Sequence, residues 1–122
     1  MDLHQDLSDR YAVERTLGQG GMATVWLARD LRYGRQVALK VLDAAPSDRM
    51  GAERFLREIA LAARLQHPHI VSVYDSGETA GRLWFTMPYI EGESLRDRLR
   101  RERQLSIEEA VRITREVALA LD

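Results

Sequence analysis

The 122-residue chain is predicted to be an α+β protein: a five-stranded antiparallel sheet with one packed helix, followed by further helices. Three observations predict it. Segments rich in β-forming residues come as three, then two, with one amphipathic helical pattern between the groups. Their connections are short, which favours antiparallel neighbours. Beyond Pro88 the apolar period becomes helical, and each new segment opens on a Ser-x-x-acid sequence.

Composition bounds the function before any motif is read. With 45% hydrophobic and 30% charged residues, the chain has the make-up of a soluble globular domain. Its 18 basic and 19 acidic residues are interspersed and the net charge is -1, so neither nucleic acid nor a membrane surface is an expected partner. The absence of cysteine excludes disulfides, thiolate catalysis and cysteine zinc sites, and fits a cytoplasmic location. No apolar run approaches the roughly 18 residues of a membrane span. The start, MDLHQDLSDR, lacks the basic-then-apolar order of a signal peptide.

Residues 1–10 are polar and read as a loose arm. Tyr11–Leu17 alternates apolar and polar side chains and reads as a strand ending at Gly18. The stretch Leu17-Gly18-Gln19-Gly20-Gly21-Met22-Ala23-Thr24-Val25 then places three glycines in four positions. Glycine admits positive φ and lets a ligand approach backbone N–H groups, so the stretch fits a phosphate-covering loop; it equally fits an ordinary glycine hairpin. Residues 24–29 are again rich in β formers. A dinucleotide loop would open into a helix, and a P-loop would end in Gly-Lys-Ser/Thr; neither follows here.

A turn at 31–35 leads to a third strand, Gln36–Leu42, whose near-continuous apolar character predicts cover on both faces. Lys40 interrupts it, on the face of Ala38 and Leu42. It is the only lysine in the chain; the other 17 basic residues are arginines. A compact ammonium in such a strand calls for carboxylates or phosphates, unless the strand is an edge from which the side chain reaches solvent.

Asp43–Gly51 reads as a loop and Ala52–Gln66 as a helix that stops before His67-Pro68. At ~100° per residue, Phe55, Leu56, Ile59, Ala62, Ala63 and Gln66 form the inward arc. Glu58 falls at the edge of that arc, where it either meets a cation or remains a solvated acid beside Arg54. His67 and His69 read as turn residues, with no third ligand at metal-binding spacing. Ile70–Tyr74 is expected as a fourth strand, Asp75–Gly81 as a turn and Leu83–Met87 as a fifth strand ended by Pro88.

Residues 89–93 form a polar connector, Ser94-Leu95-Arg96-Asp97 opens a short basic helix to about Arg101, and Ser106-Ile107-Glu108-Glu109 opens another. Ile107, Ala110, Val111, Thr114, Val117, Ala118 and Leu121 hold one face of the last helix, and Ile113, Leu119 and Ala120 widen it. Such a helix expects burial on most sides, and the chain is therefore expected to be the first part of a larger protein.

In this order the segments resemble the amino-terminal lobe of a protein kinase, most closely the eukaryotic-like serine/threonine kinases of bacteria. Leu17–Val25 is similar to the family's G-x-G-x-x-G-x-V loop, with Ala23 in the third glycine position. Val37-Ala38-Leu39-Lys40 resembles the V-A-I-K strand, Glu58 the helix glutamate that pairs with its lysine, and His67-Pro68-His69-Ile70-Val71 the turn after that helix. Met87-Pro88-Tyr89-Ile90-Glu91-Gly92 is similar to the gatekeeper and hinge, and Ser94–Asp97 to the start of the next helix.

The resemblance implies three regions: an arm at 1–10, a kinase N-lobe at 11–91 and the first C-lobe helices at 92–122. It also implies ATP as the bound nucleotide. Residues 17–25 would lie over it, Leu17, Val25 and Ala38 would roof the base, and Lys40, oriented by Glu58, would hold the α- and β-phosphates. Adenine would use the Pro88 C=O and the Ile90 N–H; proline keeps the carbonyl that this contact needs. The sequence contains no His-Arg-Asp or Asp-Phe-Gly, which hold the catalytic base and Mg²⁺ in the family.

Protein substrate and Mg²⁺ are therefore expected only with a longer parent, which a later segment would anchor to a membrane if one exists, and the 122 residues alone are expected to be inactive. The second reading is a noncatalytic nucleotide-binding or dimerising module. Back-to-back pairing of such lobes occurs in the bacterial family, which makes Arg10 and Asp75 candidates for a homodimer contact; ordinary surface charge is the favoured reading of the two.

Overall fold

The computed structural model describes residues 7–43 and 49–121. Its elements run β1 (Tyr11–Gly20), β2 (Ala23–Asp30), β3 (Arg35–Leu42), α1 (Arg49–Arg64), β4 (Asp75–Thr79), β5 (Arg82–Pro88), α2 (Leu95–Glu102) and α3 (Ile107–Leu121). The strands make one five-stranded sheet in the order β1-β2-β3-β5-β4, with every neighbouring pair antiparallel. The chain divides into two compact units, residues 1–66 with 71–89 and residues 67–70 with 90–122.

In the first unit, β3 is central because its sequence can be covered twice. Val37, Leu39 and Val41 are buried on one face, with Leu7, Tyr11, Ala28 and Trp84. Tyr11 meets Trp84 edge-on at 5.6 Å between ring centroids. Leu42 lies on the other face with Ala23, Phe85 and Phe55, and it is here that α1 packs. Phe55 is the anchor, 5.3 Å from Phe85 between centroids; burying such a ring contributes about 1.5–3 kcal/mol.

Four features differ from the expectations. Leu7 is 6% exposed, and the N–H groups of Arg10 and Tyr11 both donate to its carbonyl, so the last residues of the arm belong to the core. The first six lie outside the described residues. Helix α1 begins at Arg49 and ends at Arg64, two residues short of Gln66. Its inward arc is also narrower: Ala52, Phe55, Ile59 and Ala62 face the sheet, while Leu56 and Ala63 are exposed. A helix on a flat sheet buries one narrow stripe, and Phe55 fills most of it.

The fourth difference is the position of β4. Residues 70–74 are not a strand; Asp75–Thr79, expected as a turn, pairs with β5 from Asp75↔Thr86 to Thr79↔Arg82. The turn itself is Ala80-Gly81, with φ of 54° and 76°. Two positive φ values are the pattern of the I′ hairpin, whose twist matches the flanking strands. The polar sequence Asp-Ser-Gly-Glu-Thr is tolerated because β4 is an edge strand. Gly77 serves packing here: a Cβ at this position would stand 2.7 Å from Cζ2 of Trp84, whose ring covers it.

In the second unit both serines cap their helices. The Asp97 N–H donates to Ser94 Oγ at 3.1 Å, and the Glu109 N–H to Ser106 Oγ at 3.2 Å. Arg98 joins the two helices, donating from Nε to Glu102 at 3.1 Å and from Nη1 to Glu109 at 2.9 Å. No residue of α2 or α3 is buried, and Ile107 and Leu121 are 84% and 81% exposed.

Candidate functional site

The glycine stretch is the end of a hairpin. Strand β1 does not stop at Gly18; Gly18, Gln19 and Gly20 pair with Val25, Thr24 and Ala23, leaving Gly21-Met22 as the turn. Gly21 has φ 59° while Met22 does not enter the positive region, the pattern of a II′ turn with glycine first. Register shifts fall between Val13 and Arg15 and between Thr16 and Gly18, so Leu17 stands at a bulge immediately before the glycines. The turn is tied to the end of β3: the Asp43 N–H donates to the Met22 carbonyl at 2.7 Å, and Thr24 Oγ1 donates to the Asp43 carboxylate at 2.5 Å.

A Cβ built at Gly18, Gly20 or Gly21 would meet no atom within 4 Å. Only Gly21 needs glycine for its backbone; at 18 and 20 the missing side chains simply leave space beside the turn. Beneath it lies a cleft of about 280 Å³ whose lining includes Gly20, Gly21, Met22, Lys40, Arg54 and Glu58. Leu42 and Phe55 supply its apolar wall.

Antiparallel register puts Lys40 opposite both Val25 on β2 and Phe85 on β5, so all three share the face on which α1 packs. Lys40 Nζ donates to Glu58 Oε1 at 2.7 Å and lies 5.8 Å from the Phe85 ring centroid. The ammonium thus has its carboxylate, as a strand lysine without an edge requires: β3 has neighbours on both sides. The side chains of Lys40 and Glu58 remain 25% and 48% exposed, which leaves both accessible from the cleft.

The structure brings together Gly20, Gly21, Met22, Ala23, Lys40 and Glu58 around this cleft. Gly18, Val25, Ala38 and Met87 extend the same sheet face beyond it, Ala38 lying opposite Met87. Leu17 is half-buried at the bulge. Gln19, Thr24 and Pro88 fall on the opposite face by register, and Ile90 belongs to the second unit, where it is 65% exposed. Arg54 is the cleft residue that the sequence reading left on the surface, because the helical wheel gave only its offset from the inward arc. Its spacing of four from Glu58 was the available signal.

A lysine–glutamate pair between a central strand and a packed helix, under a glycine hairpin, agrees with how the chain compares with known proteins. Residues 11–122 match the protein kinase domain. The chain belongs to the protein kinase family. It is 46% identical over 113 residues to the serine/threonine-protein kinase PknJ of Mycobacterium tuberculosis, covering 92% of this chain and 19% of that relative. It is 45% identical over 121 residues to PknB of the same species, covering 95% of this chain and again 19% of the relative.

Among solved structures, the M. tuberculosis PknI kinase domain superposes with a TM-score of 0.74 at 38% identity, covering 92% of this chain and 46% of that one. The chain therefore spans about a fifth of the length of these curated kinases and matches the amino-terminal lobe with its following helices. No helix among the described residues is long and apolar enough to cross a membrane, and no three His, Asp or Glu side chains among them could hold a metal ion. Arg10 and Asp75, the candidates for a contact between copies, form an ion pair with each other within the chain.

Proposed function

We propose that this chain is the ATP-binding part of a serine/threonine protein kinase, and that the longer protein transfers the γ-phosphate of ATP to a protein hydroxyl. The observation that carries this is the Lys40–Glu58 pair at 2.7 Å, set in a cleft beside glycines whose Cβ positions are open. The missing side chains allow phosphate groups to approach the hairpin backbone. Lys40 supplies a point charge with three donors for the α- and β-phosphates, and Glu58 holds that charge at the cleft by its other contact.

The base rests, in this reading, on the apolar face that continues through Val25, Ala38 and Met87, with Leu17 at its margin and the Pro88 carbonyl as an acceptor. Mg²⁺ enters with the residues of the longer protein, which also bring the catalytic base. A noncatalytic module would share the nucleotide site and lack the transfer step; the kinase relatives favour the enzyme.

Calorimetric titration of the protein with Mg-ATP tests the site. Saturable binding that Lys40→Met weakens by tenfold or more, about 1.4 kcal/mol, supports it. Equal binding by Lys40→Met, or none by either, overturns it. For the enzyme, the longer protein should label serine or threonine of a protein acceptor from γ-labelled ATP. Lys40-independent labelling, or labelling of tyrosine alone, would refute the assignment.

A further inference from the structure

A second cleft, of about 530 Å³, opens at the other end of the sheet, where the β2–β3 turn meets the starts of β1 and β4. It belongs to the face away from Lys40, since Tyr11, Asp30 and Arg35 share the register face of Val37 and Leu39. Among the described residues, three arginines and two carboxylates line it, Arg10, Arg32 and Arg35 against Asp30 and Asp75, a net positive balance.

Both carboxylates are already engaged. Asp30 Oδ1 accepts from the N–H groups of Arg32 at 3.0 Å and Tyr33 at 3.4 Å, and so caps the turn. Asp75 pairs with Arg10 and accepts from the Ser76 N–H at 2.8 Å. The arginines keep donors in reserve. The Arg32 guanidinium makes no hydrogen bond or ion pair among the described residues. The Nε–H groups of Arg10 and Arg35 are buried with no acceptor among the described residues, and Arg35 Nε stands 3.9 Å from Asp30, beyond hydrogen-bond reach.

A buried, unused donor on a charged group is costly unless something fills its site. Arg35 is also held in place: its guanidinium lies 3.7 Å from the Tyr74 ring centroid and 5.0 Å from that of Tyr33. Stacking occupies the face of the guanidinium and leaves its N–H groups directed in the plane. Tyr11 lines the inner side of the cleft, its ring against Trp84 and its hydroxyl buried beside Thr86. Burial pushes its phenol above the ordinary value, so it keeps its proton.

We propose that this cleft is an oxyanion site that takes one phosphate group. A carboxylate offers two oxygens, whereas a phosphate group offers at least three and a charge near −2, enough acceptors for three guanidinium groups. The phosphate is either free in solution or carried on a phosphorylated serine or threonine side chain, and the two sources are separable by experiment.

The test follows the arginine Nε–H signals of the ¹⁵N-labelled protein by NMR, with inorganic phosphate titrated against chloride at constant ionic strength. Saturable shifts of Arg10 and Arg35 Nε–H, with a Kd on the order of 1 mM, are expected. Arg32→Ala removes an exposed side chain that supports no fold contact and should weaken binding about tenfold. Arg35→Lys, which keeps the charge and loses the planar fork, should weaken it as well.

A peptide carrying phosphoserine that binds more tightly than phosphate, while its unphosphorylated form does not bind, assigns the source to a modified side chain. Equal binding of phosphate and phosphopeptide assigns it to the free anion. Shifts that Lys40→Met abolishes and Arg32→Ala spares would place the anion in the other cleft and overturn the proposal. So would the absence of saturable shifts, or Nε–H signals that respond only to protein concentration, which would make a second copy of the chain the occupant.

Discussion

Lys40 Nζ lies 2.7 Å from Glu58 Oε1, so the sole lysine of the chain joins the central strand to the packed helix across the cleft. Half-exposed ion pairs contribute about 0–1 kcal/mol to folding. Lys40→Met and Glu58→Gln should therefore leave the melting temperature nearly unchanged. In the longer protein, phosphoryl transfer should fall by roughly 10²–10³-fold for Lys40→Met, the range for removing one positioned donor from a developing charge. Thermal melts beside single-turnover transfer rates check this; equal losses of stability and rate would make the pair merely structural.

The glycines of the hairpin divide into two kinds. Gly21→Ala places a Cβ at φ 59° and should cost about 1 kcal/mol, seen as a lower denaturant midpoint. Gly20→Ala meets nothing within 4 Å and should fold as well as the parent while weakening Mg-ATP binding, because the methyl group occupies the space left for phosphate. Loss of stability without loss of binding at Gly20 would reverse the argument.

Most of this fold was legible because its signals are local. The three strands around Lys40 alternate or run apolar, the Ser-x-x-acid signals at Ser94 and Ser106 lie within four residues, and both serines cap their helices. Glu58 was legible as the edge of an arc, and its partner as the one lysine. What failed was non-local. Nothing in Asp75–Thr79 itself says strand; its pairing is fixed by the Ala80-Gly81 turn and by the Trp84 ring over Gly77, a contact across the hairpin. Leu7, in a polar arm, is apolar in isolation and finds its core only beside Tyr11 and Ala28. Arg54 in the cleft and the Arg10, Arg32 and Arg35 cluster are likewise products of tertiary placement, because a side chain's offset on a wheel does not specify what stands opposite.

The β4–β5 hairpin offers a matched pair of substitutions. Gly77→Ala drives a Cβ to 2.7 Å from the Trp84 ring, and the overpacking should cost about 1–3 kcal/mol and shift tryptophan fluorescence. Ala80→Gly removes a Cβ from a residue held at φ 54° and should raise stability by about 1 kcal/mol. A melt that moves the same way for both variants would contradict the hairpin register.

Glu109 gives the second unit a defined acid response. Arg112 first and Arg98 second hold its carboxyl well below the usual range, at about 2, by donating to it at 2.9 Å each. The folded value lies below the ordinary 4.5, so the contribution to stability is fully present above 4.5 and is lost progressively as pH falls from there through about 2. In the folded chain Glu109 should thus stay ionised, and its bonds to Arg98 and Arg112 intact, at about pH 3, where ordinary glutamates are protonated. Carboxyl carbon NMR should show Glu109 titrating last among the glutamates, and Arg112→Ala should raise its midpoint more than Arg98→Ala. The pair is exposed, so added salt should raise it too; a Glu109 midpoint near 4.5 at low salt would show that these arginines do not hold it.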